Sequence, residues 1–391
     1  MSIAEPTPSR SRLPAPLRAL PQRARRLQEQ AAQWRDNAID WLRREELVLA
    51  ERTPYEEIFR EDITSVRHYL PLTEDRIDVA GGTVAVARTR HAIPLVLVAP
   101  LAVTMRIYDL FPERSLVKFL LAHGFDVYLV DWGRPEPRHD HLHLADFFAG
   151  LLPRALAAVR LHSGRQKLSL HGWSFGGLFS ACHAATDPDI ANLVLIGSPC
   201  DYHANGELGK QYQRLARYMR LLQKTGFRVH SLPKALWRAP GWANSLGFKV
   251  LSPAATLQGY LELLRNLHDR DFVAAHATNA AFLDDMTAYP GAVMQDMVQW
   301  LLTDNVVAEG RLPMEGAQAS LADVRANLLL VAGSNDTLVT ADAARPLLGL
   351  VASKDRTMIT VPGGHMGILG GSQAPETVWK PVVDWLATRS G

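Results

Sequence analysis

The run Leu168-Ser169-Leu170-His171-Gly172-Trp173-Ser174-Phe175-Gly176-Gly177 constrains this chain more than any other stretch. It reads as a short apolar strand that enters a G-x-S-x-G turn and leaves it as a helix from Leu178. A turn that sharp needs residues without Cβ on either side of the serine, because the strand and helix backbones approach closely; Gly172 and Gly176 supply them. Ser174 is thereby pushed out at the top of a sheet, near the positive end of the next helix, where free backbone NH groups favour an oxyanion. A glycine turn with an incidental serine would satisfy the same five residues, so the reading as a nucleophile elbow depends on the rest of the chain.

The flanking pattern supplies a sheet. Leu95 to Ala99, Asp126 to Trp132, the elbow strand and Leu193 to Gly197 are continuous apolar runs, as expected of parallel strands buried on both faces. Helical stretches separate them, near Ser115 to His123, from about Leu144 to Leu161 with a break near Pro153, and 177 to 186. Upstream, Thr64 to Leu70 and Gly82 to Ala87 read as a leading antiparallel pair around Gly81-Gly82. The fold class is α/β, an α/β-hydrolase type of doubly wound, mostly parallel sheet, whose ligands sit at the carboxyl ends of the strands.

Between residues 198 and 319 the alternation stops and helical character with scattered aromatics and prolines takes over, which predicts an inserted helical cap. The pattern resumes with Asn327 to Gly333, a helix near 341 to 350, a strand Arg356 to Val361 and a last helix from about Glu376 to Thr388. Domain bounds are therefore 51–197 and 320–391 for the two parts of the core and 198–319 for the cap. Residues 1–22, with five prolines, predict a disordered tail. Residues 23–50 predict an amphipathic helix with Leu27, Ala31, Trp34, Ala38, Trp41 and Leu42 near one face, able to dock on its own domain, a partner protein or a lipid surface.

A nucleophilic serine needs a general base, and the base needs an acceptor that fixes its tautomer. Asp336 follows the first resumed strand and His365 the second, in the glycine-rich Pro362-Gly363-Gly364-His365-Met366-Gly367 loop. The order Ser174, Asp336, His365 is that of α/β-hydrolases. Asp201 and Asp304 are less well positioned for the aspartate's role. The oxyanion hole is expected from the NH of Phe175 and that of Leu101, in the loop after the Leu95 to Ala99 strand, with Ala102 in reserve and Pro100 excluded for want of a donor.

Other chemistries fit less well. His139, Asp140, His141 and His143 crowd one loop with no second cluster in sequence, so no metal is expected, and no cofactor either. Nine arginines against four acids in residues 1–44 leave the remainder with 33 basic and 36 acidic residues. Basic charge confined to a tail predicts no nucleic-acid binding. Two cysteines make no disulfide framework, and no apolar run nears the ~20 residues that span a bilayer; the expectation is a cytoplasmic protein. Nothing in the pattern specifies oligomeric state or acyl length.

The segments Ala99 to Leu110, Arg114 to Val117, Val127 to Gly133, Ser198-Pro199-Cys200-Asp201-Tyr202 and Gly363 to Gly367, with Thr53 to Glu56 and Trp385-Leu386, resemble the polyhydroxyalkanoate synthases, especially the shorter class III catalytic subunits. The resemblance covers about residues 53 to 389 and is weakest in the cap. It implies Ser174 as nucleophile with Asp336 and His365. It also implies a departure, because that family carries cysteine at the elbow and asparagine where this chain has Val103. A serine ester is a deeper well than a thioester for an acyl group arriving from coenzyme A. Onward transfer to water is then the expected outcome, and the expectation is a serine hydrolase of acyl esters or thioesters, including hydroxyacyl esters. The alternatives are a synthase-like acyltransferase using hydroxyacyl-CoA and a non-catalytic granule- or partner-binding protein.

Overall fold

A computed structural model describes residues 33–41, 43–251 and 253–391. Its core is an eight-stranded sheet whose central strands are almost wholly buried and whose two edge strands are much more exposed. In chain order the strands of the molecule are β1 (Tyr55–Glu61), β2 (Thr64–Tyr69), β3 (Arg76–Val79), β4 (Gly82–Ala85), β5 (Leu95–Val98), β6 (Asp109–Phe111), β7 (Arg114–Ser115), β8 (Val127–Asp131), β9 (Leu168–Trp173), β10 (Ile190–Ile196), β11 (Asn327–Gly333) and β12 (Arg356–Val361). The large sheet runs β1-β2-β8-β5-β9-β10-β11-β12. β1 and β2 are antiparallel, β2 meets β8 antiparallel, and from β8 to β12 every pairing is parallel.

The leading pair differs from the one read in the sequence. Thr64–Tyr69 pairs with Tyr55–Glu61, and Gly82–Ala85 closes a separate hairpin with Arg76–Val79. The cause is local: Gly81 and Gly82, at φ of 101° and 159°, make a tight two-strand turn that pairs their nearest neighbours first. β1, sequence YEEIFRE, is an exposed edge strand whose alternation is masked by charge.

Local chemistry sets where the helices covering the sheet begin and break. Ser115 accepts a hydrogen bond from the Lys118 NH at 3.0 Å and opens Leu116–Ala122. The elbow helix begins at Phe175, three residues before the expected Leu178, because the turn itself delivers the first helical residue. Before Pro153 the chain makes a π-helical stretch, Asp146–Leu151, that leads into Leu152–Ser163; a proline has no NH, and the wider turn accommodates its ring. The resumed helix near 341–350 is two pieces, Ala341–Ala344 and Leu347–Leu350, divided by Pro346.

Between β10 and β11 the chain adds no strand among the described residues. It forms helices Gly206–Lys224, Gly241–Leu251, Pro253–Arg265, Arg270–Asp284 and Gly291–Asp296 and a π-helical turn, Met297–Thr303. A small apolar cluster of Leu47, Leu263, Leu267, Val273, Ala274 and Ala277 receives Ala38 and Trp41 from the helical residues 33–41. Asn37 Nδ2 donates to the Leu267 carbonyl at 2.7 Å, and Arg270 reaches Asp40 at 2.7 Å. That helix thus docks on its own chain through Asn37, Ala38 and Trp41, while Trp34, read as part of the same apolar face, is 41% exposed. Leu27, Ala31, Leu42 and the 1–22 tail lie outside the described residues. No helix among the described residues is long and apolar enough to cross a membrane.

Candidate active site

The strand order reverses between β5 and β9, since the chain leaves β5 toward β8 and then returns to lay down β9 on the other side. Crevices at the carboxyl ends of strands flanking such a switch point hold ligands. Ser174 follows β9 and Leu101 follows β5, so the two meet there; Val98 pairs with Gly172 in the register of β5 and β9.

Ser174 is held at φ 54°, ψ −123°, a strained conformation for a residue with a side chain. The strain is fixed from several directions. Its NH donates to the Ile196 carbonyl of β10 at 2.9 Å, and its carbonyl accepts from the NH groups of Gly177 and Leu178. A Cβ on Gly176 would lie 2.0 Å from the Val98 carbonyl oxygen, and one on Gly172 would lie 2.5 Å from the Gly176 carbonyl oxygen. The helix Phe175–Ala184 therefore rests directly on the end of β5, and only glycine fits either contact.

His365 and Asp336 come together. The His365 Nδ1–H donates to Asp336 Oδ2 at 2.8 Å, with the two side chains 8% and 0% exposed. The other carboxylate oxygen accepts from the NH groups of Leu338 and Val339, both at 2.9 Å. Donation from Nδ1 fixes the tautomer and leaves Nε2 able to accept a proton. The imidazole lies over the end of β10, so that a Cβ on Gly197 would sit 3.2 Å from its Nδ1 and Cε1. β10 is the strand next to β9, with Ile196 paired to Trp173. The Trp173 indole NH donates to the His365 carbonyl at 3.2 Å, and the two rings lie 5.3 Å apart. Ser174, Asp336 and His365 thus share one end of the sheet.

Phe175 is the first residue of the elbow helix, where an NH lacks an intrahelical acceptor. Leu101 sits in the turn after β5, and its neighbour Ala102, at φ 67°, is the strained residue of that turn. The Ala102 carbonyl accepts from the Thr287 NH at 3.1 Å, and Tyr289 packs edge-on against Phe175 with ring centroids 6.3 Å apart. The segment Thr287–Tyr289 therefore touches both stretches that carry the expected oxyanion donors, at Ala102 beside Leu101 and at the ring of Phe175. Sequence reasoning did not find it, because nothing in the residues near 287 to 289 marks them as reaching a loop almost two hundred positions earlier. Trp173, adjacent to the serine, had a position that hinted at its role.

The discarded alternatives have other partners. Asp201 accepts from the NH groups of His203 and Ala204 and from Asn305, and Asp304 accepts from Gln299. His171 is wholly buried on β9, and burial pushes its imidazole down to about 4, which keeps it neutral. The loop histidines disperse: His139 bonds to the Glu136 NH and Asp62, His141 to the Arg138 carbonyl, and His143 to Asp296, while Asp140 pairs with Arg238. Cys182 and Cys200 are free and buried; burial pushes the Cys200 thiol up to about 12 and raises Cys182 as well.

A mostly parallel sheet with this order, a strained serine at its switch point and a buried histidine–aspartate pair beyond it define an α/β hydrolase, and the chain belongs to the alpha/beta hydrolase fold family, whose model matches residues 106–372. Within that class it is similar to the poly(3-hydroxyalkanoate) polymerase subunit PhaC of Haloferax mediterranei, 29% identical over 375 residues that cover 94% of this chain and 71% of that one. The corresponding subunit of Allochromatium vinosum is 29% identical over 299 residues, 76% of this chain and 81% of its own length. Among solved structures, the monoacylglycerol lipase of Paleococcus ferrophilus aligns with a TM-score of 0.46 at 19% identity, covering 77% of this chain and 96% of that one.

Proposed function

We propose that this chain is a serine-nucleophile acyltransferase of the polyhydroxyalkanoate-synthase type, which accepts hydroxyacyl groups from thioesters and passes them to the hydroxyl end of a growing ester. The observation that carries the proposal is the strained Ser174 elbow joined at one sheet end by the 2.8 Å His365–Asp336 pair, in a chain whose relatives are named as polymerase subunits. These relatives move the preferred outcome from hydrolysis, the expectation from the sequence, to acyl transfer.

In this reading His365 Nε2 takes the proton of the Ser174 hydroxyl as Oγ attacks the thioester carbonyl. The Oγ–C bond forms, and the oxyanion accepts hydrogen bonds from the Phe175 and Leu101 NH groups. The C–S bond then breaks and the thiolate leaves with the proton from His365, which Asp336 has stabilised as imidazolium. An incoming hydroxyl repeats the cycle in reverse and carries the acyl group away as an ester. A protein that extends an insoluble polyester resides at its surface, so association with a granule, through the N-terminal helix or a partner protein, belongs to the same proposal.

Hydrolysis is the second reading, favoured by the oxygen at position 174: an acyl serine reached from a thioester lies lower than the donor, and water at the site ends the cycle. Incubation with a hydroxyacyl-CoA thioester and mass analysis of the products separates the two. Oligomeric ester supports transfer; free hydroxy acid alone supports hydrolysis.

A further inference from the structure

Away from the serine, two histidines and an aspartate from three distant parts of the chain converge. His143 Nδ1 lies 3.0 and 3.1 Å from the Asp296 carboxylate oxygens, and His230 Nε2 lies 2.8 Å from Oδ1. All three donor atoms fall within 4.8 Å of one another. The Asp296 side chain is 3% exposed, whereas His143 and His230 are about one-third exposed and face a cleft of about 500 Å³ that Asp146, Trp300 and Glu315 also line.

We propose that His143, His230 and Asp296 form a binding site for a divalent transition cation, Zn²⁺ or a close analogue. The donor set, two imidazoles and one carboxylate, is one that such ions take with a remaining position open to water. Two of the three edges fit closely: metal–ligand bonds of ~2.0–2.1 Å in a tetrahedron put neighbouring donor atoms about 3.3 Å apart, so the histidine–aspartate distances need to open by only a few tenths of an ångström, and the two imidazole nitrogens lie within 4.8 Å of each other. Charge points the same way. A buried carboxylate is costly without a counter-charge, and among the described residues the groups that hydrogen-bond to Asp296 are two imidazoles and the Leu144 NH at 2.8 Å. The ammonium of Lys234 sits 3.1 Å from His143 Nε2, on the side of that ring away from the carboxylate. When Nδ1 binds an ion the proton moves to Nε2; Lys234 then turns to the His141 carbonyl, already 3.4 Å away. The lone pair Leu144 NH fixes on Oδ2 leaves Oδ1 as the ligand atom.

The site would tie His143, ahead of the helix that packs on the elbow helix, to two segments lying between β10 and β11, and so clamp the inserted helices to the sheet. The test uses the full chain stripped with a chelator and titrated with Zn²⁺ by calorimetry, and with Co²⁺ followed by visible absorption. One cation per chain, tetrahedral Co²⁺ bands and a rise in Tm on Zn²⁺ addition are expected. His230→Gln, on an exposed side chain, should weaken binding by about ten- to a hundredfold, and His143→Gln should do the same. His162→Gln, in the separate Glu56–His68–His162 cluster, should leave it unchanged. Absence of stoichiometric uptake by the wild-type chain, or uptake that survives both His230→Gln and His143→Gln, overturns the proposal.

Discussion

Replacing Asp336 by asparagine separates the orientation of the base from the packing around it. The two NH groups of Leu338 and Val339 bind Oδ1, and an asparagine keeps an oxygen there. Its amide NH₂ is then forced to face His365 Nδ1, where the carboxylate oxygen accepted a hydrogen bond at 2.8 Å. Two donors cannot face each other, so the imidazole adopts the opposite tautomer, with its proton on Nε2, and cannot take the proton of Ser174. Loss of the tautomer and of the anion that stabilises imidazolium removes about 10³- to 10⁴-fold in acylation rate, or about 4 to 5.5 kcal/mol of transition-state stabilisation. Asp336→Ala would be a poorer probe, because two buried NH groups left unpaired cost about 1–3 kcal/mol each in stability. The assay is the burst of nitrophenolate from a nitrophenyl hydroxyacyl ester in stopped flow, alongside the thermal unfolding curve. A folded Asp336→Asn chain that acylates within tenfold of the wild type would refute the assignment of Asp336 as the group that orients His365.

Three further outcomes follow from other parts of the molecule. Iodoacetamide at pH 8 should modify neither Cys182 nor Cys200 in the folded chain and both in urea, since each side chain is 1% exposed and burial holds its thiol protonated; rapid native labelling, read by mass, would contradict this. Gly176→Ala should destabilise by more than about 3 kcal/mol or abolish folding, because the new methyl meets the Val98 carbonyl oxygen and the β5 strand behind it has no room to retreat; a chemical-denaturation midpoint within experimental scatter of the wild type would count against it. Asp187, partly buried, has its carboxyl held well below the usual range by His183 and Arg160 against the opposing cost of burial. A depressed folded pKa gives stability that is fully present above the unfolded value near 4 and lost as pH falls toward the folded one. Asp187→Asn should therefore lower Tm at pH 7 and converge with the wild type at low pH; a gap that stays constant down to pH 2 would contradict the pairing.

The features legible in the sequence obey local rules. Gly172 and Gly176 mark the elbow because no other residue fits their contacts, and β5, β8, β9, β10 and β11 announce themselves because strands buried on both faces must be apolar throughout. Asp336 and His365 were found by their order after strands that were themselves legible. What escaped was long-range. The exposed edge strand β1 carries YEEIFRE, whose charges hide its period, and so β2 was paired with the wrong partner. Thr287 reaches Ala102, and Asp296 reaches His143 and His230 across 153 and 66 positions, through the packing of the helices between β10 and β11; no spacing along the chain encodes that. His143 shares a loop with His139 and His141, which turn to other partners.

In the proposed reaction, acyl groups pass through the oxygen of Ser174. Brief exposure of the protein to a hydroxyacyl-CoA thioester, acid quench and peptide mapping by mass spectrometry tests it directly. One hydroxyacyl adduct, or a short oligomer of it, is expected on the peptide that contains Ser174, absent from Ser174→Ala and accumulating far more slowly in His365→Gln. Turnover with no adduct on that peptide, or an adduct that persists in Ser174→Ala, would contradict it.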